Sequence, residues 1–532
     1  MISPDALAEH VRAALSDAGL PDRQPSFERP RQREHGDWAT NVALTLAKRV
    51  GRSPRDIAQH IADRLTDVEG IERVEVAGPG FLNFHLSTAA FADVVRTAVR
   101  QGPAWGRDGA WRGRVNVEFV SANPTGPLHV GHGRQAALGD ALANLLDATG
   151  WDVTREYYFN DAGTQMAHFG ESVAAALRGQ DPPPDGYRGA YIRELAAQLE
   201  ADGVIQADVR EVAYRAMLDR IKRTLDQFGV HFDVYFGERE LHTSGAVERV
   251  IARLRAGGHV YDSGGAVWLR TTDFGDDKDR VLVRSDGLPT YFAADCAYLG
   301  HKAARGFDRC VYVWGADHHG YINRVMAIAR AEELGDDLVE IVLHQFVNLY
   351  RGGEAVRMSK RTGEMITFDE LLEEVGVDAA RYTFLRFSNE VEIDFDIAEV
   401  VKQAKDNPVF YVQYSHARIA GIMRTATERG VEPGSVDQAP LEVLTSGAEV
   451  ELIRRIGTYP DVVRLAAEGR APHKVARYGE ELAEAFHKFY TECQVVSDDT
   501  DLTRARYWLC VAARQTLVNV LALLGVSAPD RM

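Results

Sequence analysis

The sequence predicts an α/β protein whose central domain is a doubly wound parallel sheet, with a small α+β domain before it and an all-α helical bundle after it. Three observations predict this class. A strand–helix–strand pattern covers residues 115–157, an apolar strand followed by a helix begins at residue 310, and strand signals disappear after about residue 395. Strands that alternate with helices are typical of parallel sheets, whereas unbroken helical periodicity is typical of bundles.

The predicted N-terminal domain covers residues 1–108. Its predicted elements are two helical stretches and two strands, at Asp5–Asp17, Thr40–Leu65, Val74–Ala77 and Phe81–Leu86. The second helical stretch is interrupted near Gly51 and Pro54, which predicts two helices there. The segment Gly102–Gly113 contains glycines and tryptophans, and it predicts a linker to the next domain.

The strand–helix–strand pattern opens the predicted sheet of residues 109–390. Val115 and Val117 alternate with polar residues, as in a strand, and leucines at helical spacing follow. The helix is predicted over Gly133–Thr149 and the next strand over Trp151–Tyr157. A strand, a helix and a parallel strand form the opening unit of a Rossmann-like doubly wound sheet.

An insertion into this domain is predicted at about residues 180–290, because a proline-rich break, a helical stretch and a hairpin-like segment interrupt the sheet pattern. The parallel pattern resumes at Cys310–Trp314, and a helix follows. Residues 391–532 show helical periodicity alone, so they form the predicted C-terminal bundle.

The composition fits a multidomain globular protein. The chain has 532 residues, with hydrophobic and charged fractions of 45% and 26%. No apolar run is long enough to span a bilayer, and the N-terminus lacks the features of a signal peptide. Four scattered cysteines argue against a zinc ribbon and for a reducing, cytoplasmic setting. The net charge of −17 does not exclude a nucleic-acid partner, because specific contacts need only a local basic stripe.

The first candidate site is His129-Val130-Gly131-His132, where the first strand passes into the helix. Backbone N–H groups and the dipole at a helix start attract phosphate. Gly131 lets a flat adenine approach the backbone, and the imidazoles of His129 and His132 can donate hydrogen bonds to phosphate as charge develops. The alternative is a pair of histidines whose hydrogen bonds are satisfied within a turn.

The second candidate site is Arg357-Met358-Ser359-Lys360-Arg361, a basic segment flanked by glycines. Cations on such a loop can close over a departing pyrophosphate. A solvated basic turn is the better interpretation of this segment by itself. Its pairing with the histidine motif in one nucleotide-binding domain favours the phosphate interpretation instead.

The third candidate site, Gly315-Ala316-Asp317-His318, follows the strand at residue 310. Gly315 could lie beneath a ribose, and Asp317 could accept hydrogen bonds from the ribose hydroxyls. The alternative is that Asp317 caps the next helix, and both roles can hold at once. Together the three sites indicate an enzyme that activates a carboxylate with ATP.

These residues resemble the two signature sequences of the class I aminoacyl-tRNA synthetases, HIGH and KMSKS. The wider context is similar to the arginyl-tRNA synthetases in five segments: Val117–His129, Asn160–Gly163, Arg284–Gly287, Tyr291–Asp295 and Ala528–Met532. The resemblance covers nearly the whole chain. The second signature departs from KMSKS at Arg357 and Arg361, but a degenerate second signature is common in this family.

The resemblance implies ATP-dependent ligation of L-arginine to the 3′-terminal ribose of tRNA(Arg) through an arginyl-adenylate. It implies that His129 and His132 bind the ATP phosphates and stabilise the transition state. It also implies that Lys360, helped by Arg357, holds pyrophosphate. The remaining implied ATP-binding residues are Gly131, Gly315, Asp317, His318, Met358 and Ser359. Mg²⁺ is implied as a companion of ATP, although no metal-ligand cluster in the sequence locates it.

The resemblance also implies which residues recognise arginine: Glu118, Asn123, Tyr291 and Asp295. Carboxylates suit this task because a guanidinium presents a fixed fork of donors. Two alternatives remain for the carboxylates. Glu118 could be an exposed strand residue, and Asp295 could be a surface helix residue paired with Arg284 or Lys302.

The outer domains resemble parts of the family that contact tRNA. In the C-terminal bundle, basic and aromatic residues interleave as phosphate contact and base stacking require, with Tyr490 and Trp508 as candidate contacts. Ordinary helix surface and core is the alternative there. The N-terminal domain resembles the one that touches the tRNA elbow. Asn83 and Phe84 are candidates in it, although a plain core strand fits them equally well.

Three other functions fit less well. A small-molecule nucleotidyltransferase shares the histidine turn but is usually a short single domain. A non-catalytic synthetase-like tRNA-binding protein is expected to lack His129, His132 or Lys360, and all three are present. Among other class I specificities, a cysteine enzyme needs a zinc cluster and the large aliphatic enzymes are longer. The sequence therefore predicts a cytoplasmic monomer that uses ATP, L-arginine and tRNA(Arg) and has no membrane partner.

Overall fold

The computed structural model of the chain describes residues 4–30, 32–203, 209–335, 337–356, 366–402, 404 and 407–532. It confirms the predicted fold class: a parallel α/β domain stands between an N-terminal α+β domain and a C-terminal helical bundle. Across these ranges, no helix has both the length and the apolar character that crossing a bilayer requires.

The N-terminal domain is built on a three-stranded antiparallel sheet in which β3 lies between β1 and β2. Its elements are α1 (Pro4–Asp17), β1 (Trp38–Thr40), α2 (Val42–Val50), α3 (Pro54–Arg64), β2 (Ile71–Ala77) and β3 (Phe81–Leu86). The predicted helix break is confirmed, because α2 ends at Gly51 with a left-handed φ of 70°. Apolar side chains of the three helices and of β3 share one core cluster.

Helix α4 (Thr88–Gln101), which the sequence analysis did not predict, connects this domain to the rest of the chain. Its basic side chains pair with the C-terminal region rather than with the N-terminal sheet. Arg96 Nη2 lies 2.9 Å from Glu442 Oε1, and Arg100 Nη2 lies 2.6 Å from Asp437 Oδ1. The last helix of the interval 1–108 therefore packs as part of the C-terminal bundle.

The central domain contains the parallel sheet and two small accessory sheets. In chain order its elements are β4 (Gly113–Glu118), α5 (Val130–Ala148), β5 (Trp151–Phe159), α6 (Thr164–Leu177), α7 (Ala190–Ala201), α8 (Val209–Gln227), β6 (Val234–Gly237), α9 (Arg239–Thr243), α10 (Ala246–Ala256), β7 (Val260–Ser263), β8 (Ala266–Leu269), β9 (Arg280–Val283), α11 (Tyr291–Ala304), β10 (Arg309–Gly315), α12 (Ile322–Ala331), β11 (Val339–His344), β12 (Val347–Arg351), β13 (Glu354–Ala355), α13 (Phe368–Val375), α14 (Val377–Arg386), β14 (Ile393–Asp396) and α15 (Ile397–Val400).

The five parallel strands run in the order β11-β10-β4-β5-β6. The chain leaves β4 towards β5 and β6 on one side, and later adds β10 and β11 on the other. The change of direction therefore falls between β4 and β10, and ligands of such sheets bind at the carboxyl ends of the strands at this point. Val115 and Val117 of β4 are fully buried, and the alternating polar residues Asn116 and Glu118 are buried too, because β4 is the central strand of the sheet.

The stretch predicted as an insertion at about 180–290 contributes to two sheets. Strands β7, β8 and β9 form a separate antiparallel sheet, which includes the predicted hairpin. Strand β6 lies in the same stretch but pairs in parallel with β5, so it belongs to the central sheet. Its crossover from β5 uses α6, α7 and α8.

Helix α5 packs closely on two aromatic rings because two of its residues are glycines. A Cβ on Gly139 would overlap the ring of Phe119, and a Cβ on Gly133 would overlap the ring of Phe368 at the start of α13. Glycine costs a helix up to about 1 kcal/mol relative to alanine. At these two positions glycine lets Phe119, just after β4, and Phe368 of α13 pack directly against the backbone of α5.

The C-terminal bundle consists of α16 (Pro408–Glu428), α17 (Gly447–Glu468), α18 (His473–Glu492) and α19 (Thr500–Leu523). Its buried side chains form one continuous core cluster with those of the central domain and α4. A fully buried arginine of α14, Arg381, ties the two domains together. It donates to Leu524 O at 2.9 Å, to Phe228 O at 3.0 Å and to the carboxylate of Asp140 in α5.

A second buried arginine, Arg134 of α5, donates only to backbone carbonyls among the residues that the structure describes. It donates to Gln345 O at 2.7 Å, to Val391 O at 2.8 Å and to Ser388 O at 3.0 Å. Burial lowers the pKa of Arg134 to about 10, so the guanidinium stays charged at neutral pH. The first turns of α5 are therefore fixed to the loops that follow β11 and α14.

Replacing Arg381 with methionine should destabilise the protein strongly, because Asp140 and two or more carbonyls would lose their buried donor. Removing one partner of a buried ion pair typically costs about 3–5 kcal/mol. Urea unfolding followed by circular dichroism gives the change in the free energy of unfolding. Arg386→Met, on the same helix, is the matched control. Its partner Glu480 is partly exposed, and such pairs contribute up to about 1 kcal/mol. Equal losses in the two variants would contradict the role of Arg381.

Candidate functional site

The candidate site lies at the carboxyl edge of the parallel sheet, where β4 and β10 run side by side. Glu118, the last residue of β4, is in register with Tyr312 of β10. Gly315, three residues after Tyr312, ends β10. The histidine motif begins α5 beyond the end of β4. The sheet therefore brings the first and third candidate sites and Glu118 to one edge.

The two histidines of the first motif cap the helix that they begin. The Nδ1 atom of His129 accepts a hydrogen bond from the Gly131 N–H at 3.2 Å, and the Nδ1 atom of His132 accepts one from the His129 N–H at 3.2 Å. The rings are stacked with their centroids 3.7 Å apart. An Nδ1 atom that accepts a hydrogen bond carries no proton, so this arrangement leaves the ring N–H of each histidine at Nε2. The motif thus supplies two ring donors next to the positive end of α5.

The chain reaches this motif through a strained turn. Val120 and Ser121 both adopt left-handed conformations, with φ of 68° and 41°, and such conformations are costly for non-glycine residues. The phenol of Tyr157 holds the turn on both sides of Ala122. Its oxygen accepts from the Ala122 N–H at 3.1 Å and its O–H donates to the Ala122 carbonyl at 2.7 Å. The hydrogen bonds of Tyr157 hold this strained turn, and the turn sets the direction in which the chain runs from β4 to the histidine motif.

Asn123 follows this turn in the loop between β4 and α5, and its side chain contacts the segment that joins β5 to α6. Its Oδ1 atom accepts from the Asn160 N–H at 3.0 Å, and its Nδ2 atom donates to Gln165 Oε1 at 2.8 Å. The segment Asn160–Gly163, one of those that resemble the family, is therefore the support of Asn123.

Two of the predicted arginine-binding residues share one face of α11 with two residues that the sequence analysis missed. Tyr291, Asp295, Tyr298 and Lys302 follow one another at spacings of three or four, which places them on one side of a helix. Tyr291 stands at the rim with 52% of its surface exposed, and Lys302 at the other end is 0% exposed. Helical periodicity could have identified the two missed residues as neighbours of the predicted ones.

Glu118 is buried, with 6% of its surface exposed, so the alternative that it is an exposed strand residue is wrong. Lys302 Nζ lies 2.6 Å from Glu118 Oε2. The hydroxyl of Ser121 donates to the other oxygen, Oε1, at 3.1 Å. Lys302 therefore pairs with Glu118. The alternative that Lys302 pairs with Asp295 is wrong.

Asp295 lies half-buried in the same cleft and accepts a hydrogen bond from the hydroxyl of Tyr321. The pKa of Asp295 is raised to about 7, chiefly by burial; the charges of Glu238 and Glu118 add to the rise, while the Tyr321 hydrogen bond and the charge of Arg324 oppose it. Glu238 is itself buried, and it accepts from the hydroxyl of Tyr158 at 2.6 Å. Burial raises the pKa of Glu238 as well. The cleft thus concentrates carboxylates that favour a bound cation.

No sequence signal pointed to Glu238, Tyr158 or Tyr321. These residues come from three separate elements and meet only in the folded chain, so their spacing along the sequence carries no information about the site.

Beyond Gly315, the carboxylate of Asp317 is 61% exposed and faces His318, whose Nε2 atom lies 3.5 Å from Asp317 Oδ2. Asp317 makes no side-chain capping bond to the turn or helix that follows, so the capping alternative gains no support. His344, at the end of β11, is in register with Gly315. Burial lowers the pKa of His344 to about 4, so this imidazole is neutral at physiological pH.

The second signature, with its predicted residues Arg357, Met358, Ser359 and Lys360, lies outside the described residues. The described chain continues close to the histidine motif on the C-terminal side of this segment. The Phe368 N–H donates to the carbonyl of Leu128 at 2.8 Å, and Leu128 immediately precedes His129. The start of α13 is therefore fixed beside the first motif.

The predicted tRNA contacts in the bundle have different surroundings. Tyr490 is 39% exposed and lies at a cavity of about 820 Å³, where the guanidinium of Arg418 stands 4.6 Å from its ring centre. Arg424 and Arg429 also line this cavity. Trp508 is half-buried and donates from its indole N–H to Pro433 O at 3.2 Å. An open aromatic and basic surface therefore surrounds Tyr490, whereas Trp508 has a partner within the bundle.

The predicted tRNA contacts in the N-terminal domain are both buried. Phe84 belongs to the domain's core cluster and packs edge-on against Phe27. Asn83, also buried, lies on the central strand β3. In this conformation neither side chain presents a surface to RNA, which agrees with the core-strand alternative.

Family models match nearly the whole chain. The matched families are "Arginyl tRNA synthetase N terminal domain" at residues 5–86, "tRNA synthetases class I (R), catalytic domain" at residues 96–181 and 191–420, and "DALR anticodon binding domain" at residues 412–532. The three matches follow the order of the N-terminal domain, the parallel-sheet domain and the bundle.

Full-length relatives and a solved structure agree with these models. The arginine–tRNA ligase of Frankia alni is 49% identical over 99% of this chain and 99% of its own length. That of Kineococcus radiotolerans is 48% identical over 99% of this chain and 98% of its own. The solved arginyl-tRNA synthetase of Thermus thermophilus has a TM-score of 0.79 and 24% identity over the whole of both chains, which shows a shared fold.

The raised pKa of Asp295 predicts that a guanidinium ligand competes with a proton for this cleft. Below about pH 7 the ligand must displace the proton, so the Kd for arginine should fall up to about tenfold per pH unit from pH 5.5 to 7. Above pH 7 the carboxylate is already ionised, and the Kd should level off. Isothermal titration calorimetry across this range measures the effect. Asp295→Asn should bind arginine weakly with a flat profile, and a profile as steep as that of the unchanged chain would contradict the assignment.

Proposed function

The chain belongs to the class I arginyl-tRNA synthetases, and from this premise we propose how its residues divide the work of the reaction. The activity is the ATP-dependent ligation of L-arginine to the 3′-terminal ribose of tRNA(Arg). The arginine carboxylate attacks the α-phosphate of ATP, which forms arginyl-adenylate and releases pyrophosphate. The ribose hydroxyl of tRNA then attacks the activated carbonyl, and AMP leaves. No step needs a covalent bond to the enzyme, so catalysis depends on positioning and on charge stabilisation.

His129 and His132 bind the ATP phosphates and stabilise the charge that develops on the α-phosphate. Their Nε2 atoms supply the N–H donors, since each Nδ1 atom accepts a backbone hydrogen bond. The N-terminus of α5 adds the favourable end of a helix dipole. Gly131, between them, leaves room for the nucleotide close to the backbone.

Lys360, helped by Arg357, holds the departing pyrophosphate, and Met358 and Ser359 complete the nucleotide contacts. The assignment rests on the motif and on one structural support. The start of α13, which follows the segment, is bonded to the residue before His129. The chain that follows the motif is therefore held beside the histidines, which supports a role of the motif at the same nucleotide.

Gly315, Asp317 and His318 receive the adenosine at the carboxyl end of β10. The exposed carboxylate of Asp317 suits the ribose hydroxyls, which are hydrogen-bond donors. The position of the strand end beside the switch point of the sheet supports this placement.

Glu118, Asn123, Tyr291 and Asp295 recognise arginine. The observation that carries this assignment is the excess of carboxylates over cations in the cleft. Lys302 pairs with Glu118, whereas Asp295 has the hydroxyl of Tyr321 as its hydrogen-bond partner among the described residues. A buried carboxylate with a raised pKa is stabilised by a cation, and a guanidinium supplies both the charge and the forked donors.

The outer domains bind tRNA(Arg). The cavity beside Tyr490 offers aromatic rings and guanidiniums, which suit unstacked bases and phosphates of a single-stranded loop. Trp508 contributes from the same bundle. The N-terminal domain contacts the tRNA elbow, and Asn83 and Phe84, which are buried in its central strand, support the domain and do not touch RNA.

Mg²⁺ enters as part of the ATP substrate. Around the described residues, no group of three or more His, Cys, Asp or Glu side chains could hold a metal ion. Mg²⁺ at nucleotide sites usually keeps water and phosphate ligands, so the residues present fit a Mg²⁺ ion that binds together with ATP. We further propose that the enzyme works as a monomer in the cytoplasm.

The specificity can be tested by charging. Purified protein, total tRNA, MgATP and each labelled amino acid in turn should yield charged tRNA with arginine alone. Reactions without ATP are the negative control. Charging with a different amino acid in place of arginine would refute the specificity.

Lys360→Ala should lower the turnover rate by about a hundredfold or more, because it removes a charge that stabilises the transition state. The KM for arginine should change by less than about threefold, since the proposed partner of Lys360 is pyrophosphate and not arginine. Steady-state aminoacylation measures both constants. Arg361→Ala removes a neighbouring cation that has no assigned role, and it should have a much smaller effect. An unchanged turnover rate for Lys360→Ala would remove this residue from the mechanism.

A further inference from the structure

The floor of the proposed arginine pocket is a buried lysine. Lys302 is fully buried, and its ammonium group lies 2.6 Å from Glu118 Oε2. It also stands over the rings of Tyr298 and Tyr312, at 4.6 Å and 4.1 Å from their centres. Lysine is rarely buried without a partner, because its charge must be compensated in the protein interior. The floor of the pocket is therefore occupied by a cation before any substrate arrives.

A second carboxylate, Glu156 of β5, lies behind this pair. Burial disfavours its charge, but Lys302, Tyr298 and Arg305 hold the pKa of Glu156 below its usual value. Arg305 Nη1 lies 2.5 Å from Glu156 Oε2, so this carboxylate has a cation of its own. Glu118 has Lys302 as its only ion-pair partner among the described residues.

The hydroxyl of Tyr298 lies between the two carboxylates and is closer to Glu156 than to Glu118. It lies 2.6 Å from Glu156 Oε1 and 3.0 Å from Glu118 Oε2. A phenol has one hydrogen to donate, and the shorter distance favours Glu156. Lys302 is therefore the main donor that holds Oε2 of Glu118 in place.

The two oxygens of Glu118 face different surroundings. Oε2 is directed to the buried floor by Lys302, and Oε1 receives the hydroxyl of Ser121 at 3.1 Å. Each carboxylate oxygen can accept two hydrogen bonds, so Oε1 keeps capacity for a further donor. Asp295 and Tyr291, on the same face of α11 as Lys302, lie on the side of the pocket that opens to solvent.

We propose that Lys302 is a positioning residue for arginine recognition, which holds Oε2 of Glu118 to the pocket floor so that Oε1 meets the guanidinium. The inference rests on the proposed function of Glu118 as an arginine ligand. Lys302 does not touch the substrate, and its whole effect on arginine passes through Glu118. Tertiary contact alone creates this arrangement, since the two residues are 184 positions apart.

The test compares Lys302→Met with Arg305→Met in the full-length enzyme. Both variants remove a cation from one network, in which Lys302 is fully buried and Arg305 is partly exposed, and both should lower the melting temperature. Lys302→Met should raise the KM for arginine at least tenfold, with the KM for ATP changed less than twofold. Arg305→Met should leave both KM values within twofold, because Arg305 contacts Glu156 and not Glu118. Equal increases in the KM for arginine would reduce Lys302 to a structural role and overturn the proposal.

A double-mutant cycle with Glu118→Gln separates this inference from its premise. Glu118→Gln should itself raise the KM for arginine, and adding Lys302→Met should then raise it less than twofold further. No effect of Glu118→Gln would refute the proposed function of Glu118. An effect of Glu118→Gln together with a Lys302→Met effect that is absent, or equally large in both backgrounds, would refute the role of Lys302.

Lys302→Gln keeps the cycle decisive if Lys302→Met does not fold. Glutamine retains a donor for Oε2 without the charge, so the KM for arginine should rise about threefold to fivefold in the Glu118 background and remain unchanged in the Glu118→Gln background. A rise of the same factor in both backgrounds, or no rise in either, would contradict the proposal.

Discussion

The position of helix α5 is held by two buried arginines, and the geometry of the cleft depends on it. Arg134 donates to carbonyls in the loops after β11 and α14, and Arg381 joins Asp140 of α5 to the ends of α8 and α19. Buried carbonyls and guanidiniums are costly when they lack partners, so these contacts leave α5 little freedom to shift. The helix start that carries His129 and His132 is thereby fixed relative to β10, whose end carries the residues that are proposed to bind adenosine. The same contacts join the cleft to the bundle that is proposed to bind tRNA.

Electrostatics explains why the arginine pocket is stable without its substrate and suited to a cation. Glu118 is compensated by Lys302, while a raised pKa of about 7 lets Asp295 keep its proton in acid and near neutral solution. A raised carboxyl pKa favours the folded state below the unfolded pKa, and this contribution is lost as the pH rises through about 7. A bound guanidinium offsets that loss, because it supplies the missing charge. A bound cation therefore stabilises the pocket most at and above neutral pH.

The predictable and unpredictable parts of the structure differ in their dependence on distant residues. The β4–α5–β5 unit, the helix break at Gly51 and the bundle followed from local periodicity and turn residues. The apolar residues of α4 recur at helical spacing, so the helix itself could have been predicted. Its packing against the bundle could not, because the partners lie more than three hundred residues away. Strand β1 has only three residues, which is too short for a period. Glu118 and Asp295 followed from a resemblance, and helical spacing would have added Tyr298 and Lys302. Glu238 and Tyr321 had no signal, because they meet Asp295 only in the folded chain.

The fold class follows from residue order and from spacing within each element, which are local properties of the amino-acid sequence. The two signature segments are visible in the sequence as well, and the kind of substrate follows from the family that these segments resemble. Only the tertiary structure decided that Glu118 is buried and paired with Lys302, that Asp295 pairs with Tyr321, and that Phe84 lies in a core. The physical reason is that the charge state and exposure of a side chain are set by neighbours brought together from separate elements. Those neighbours are chosen by the packing of strands and helices, which local sequence patterns do not specify.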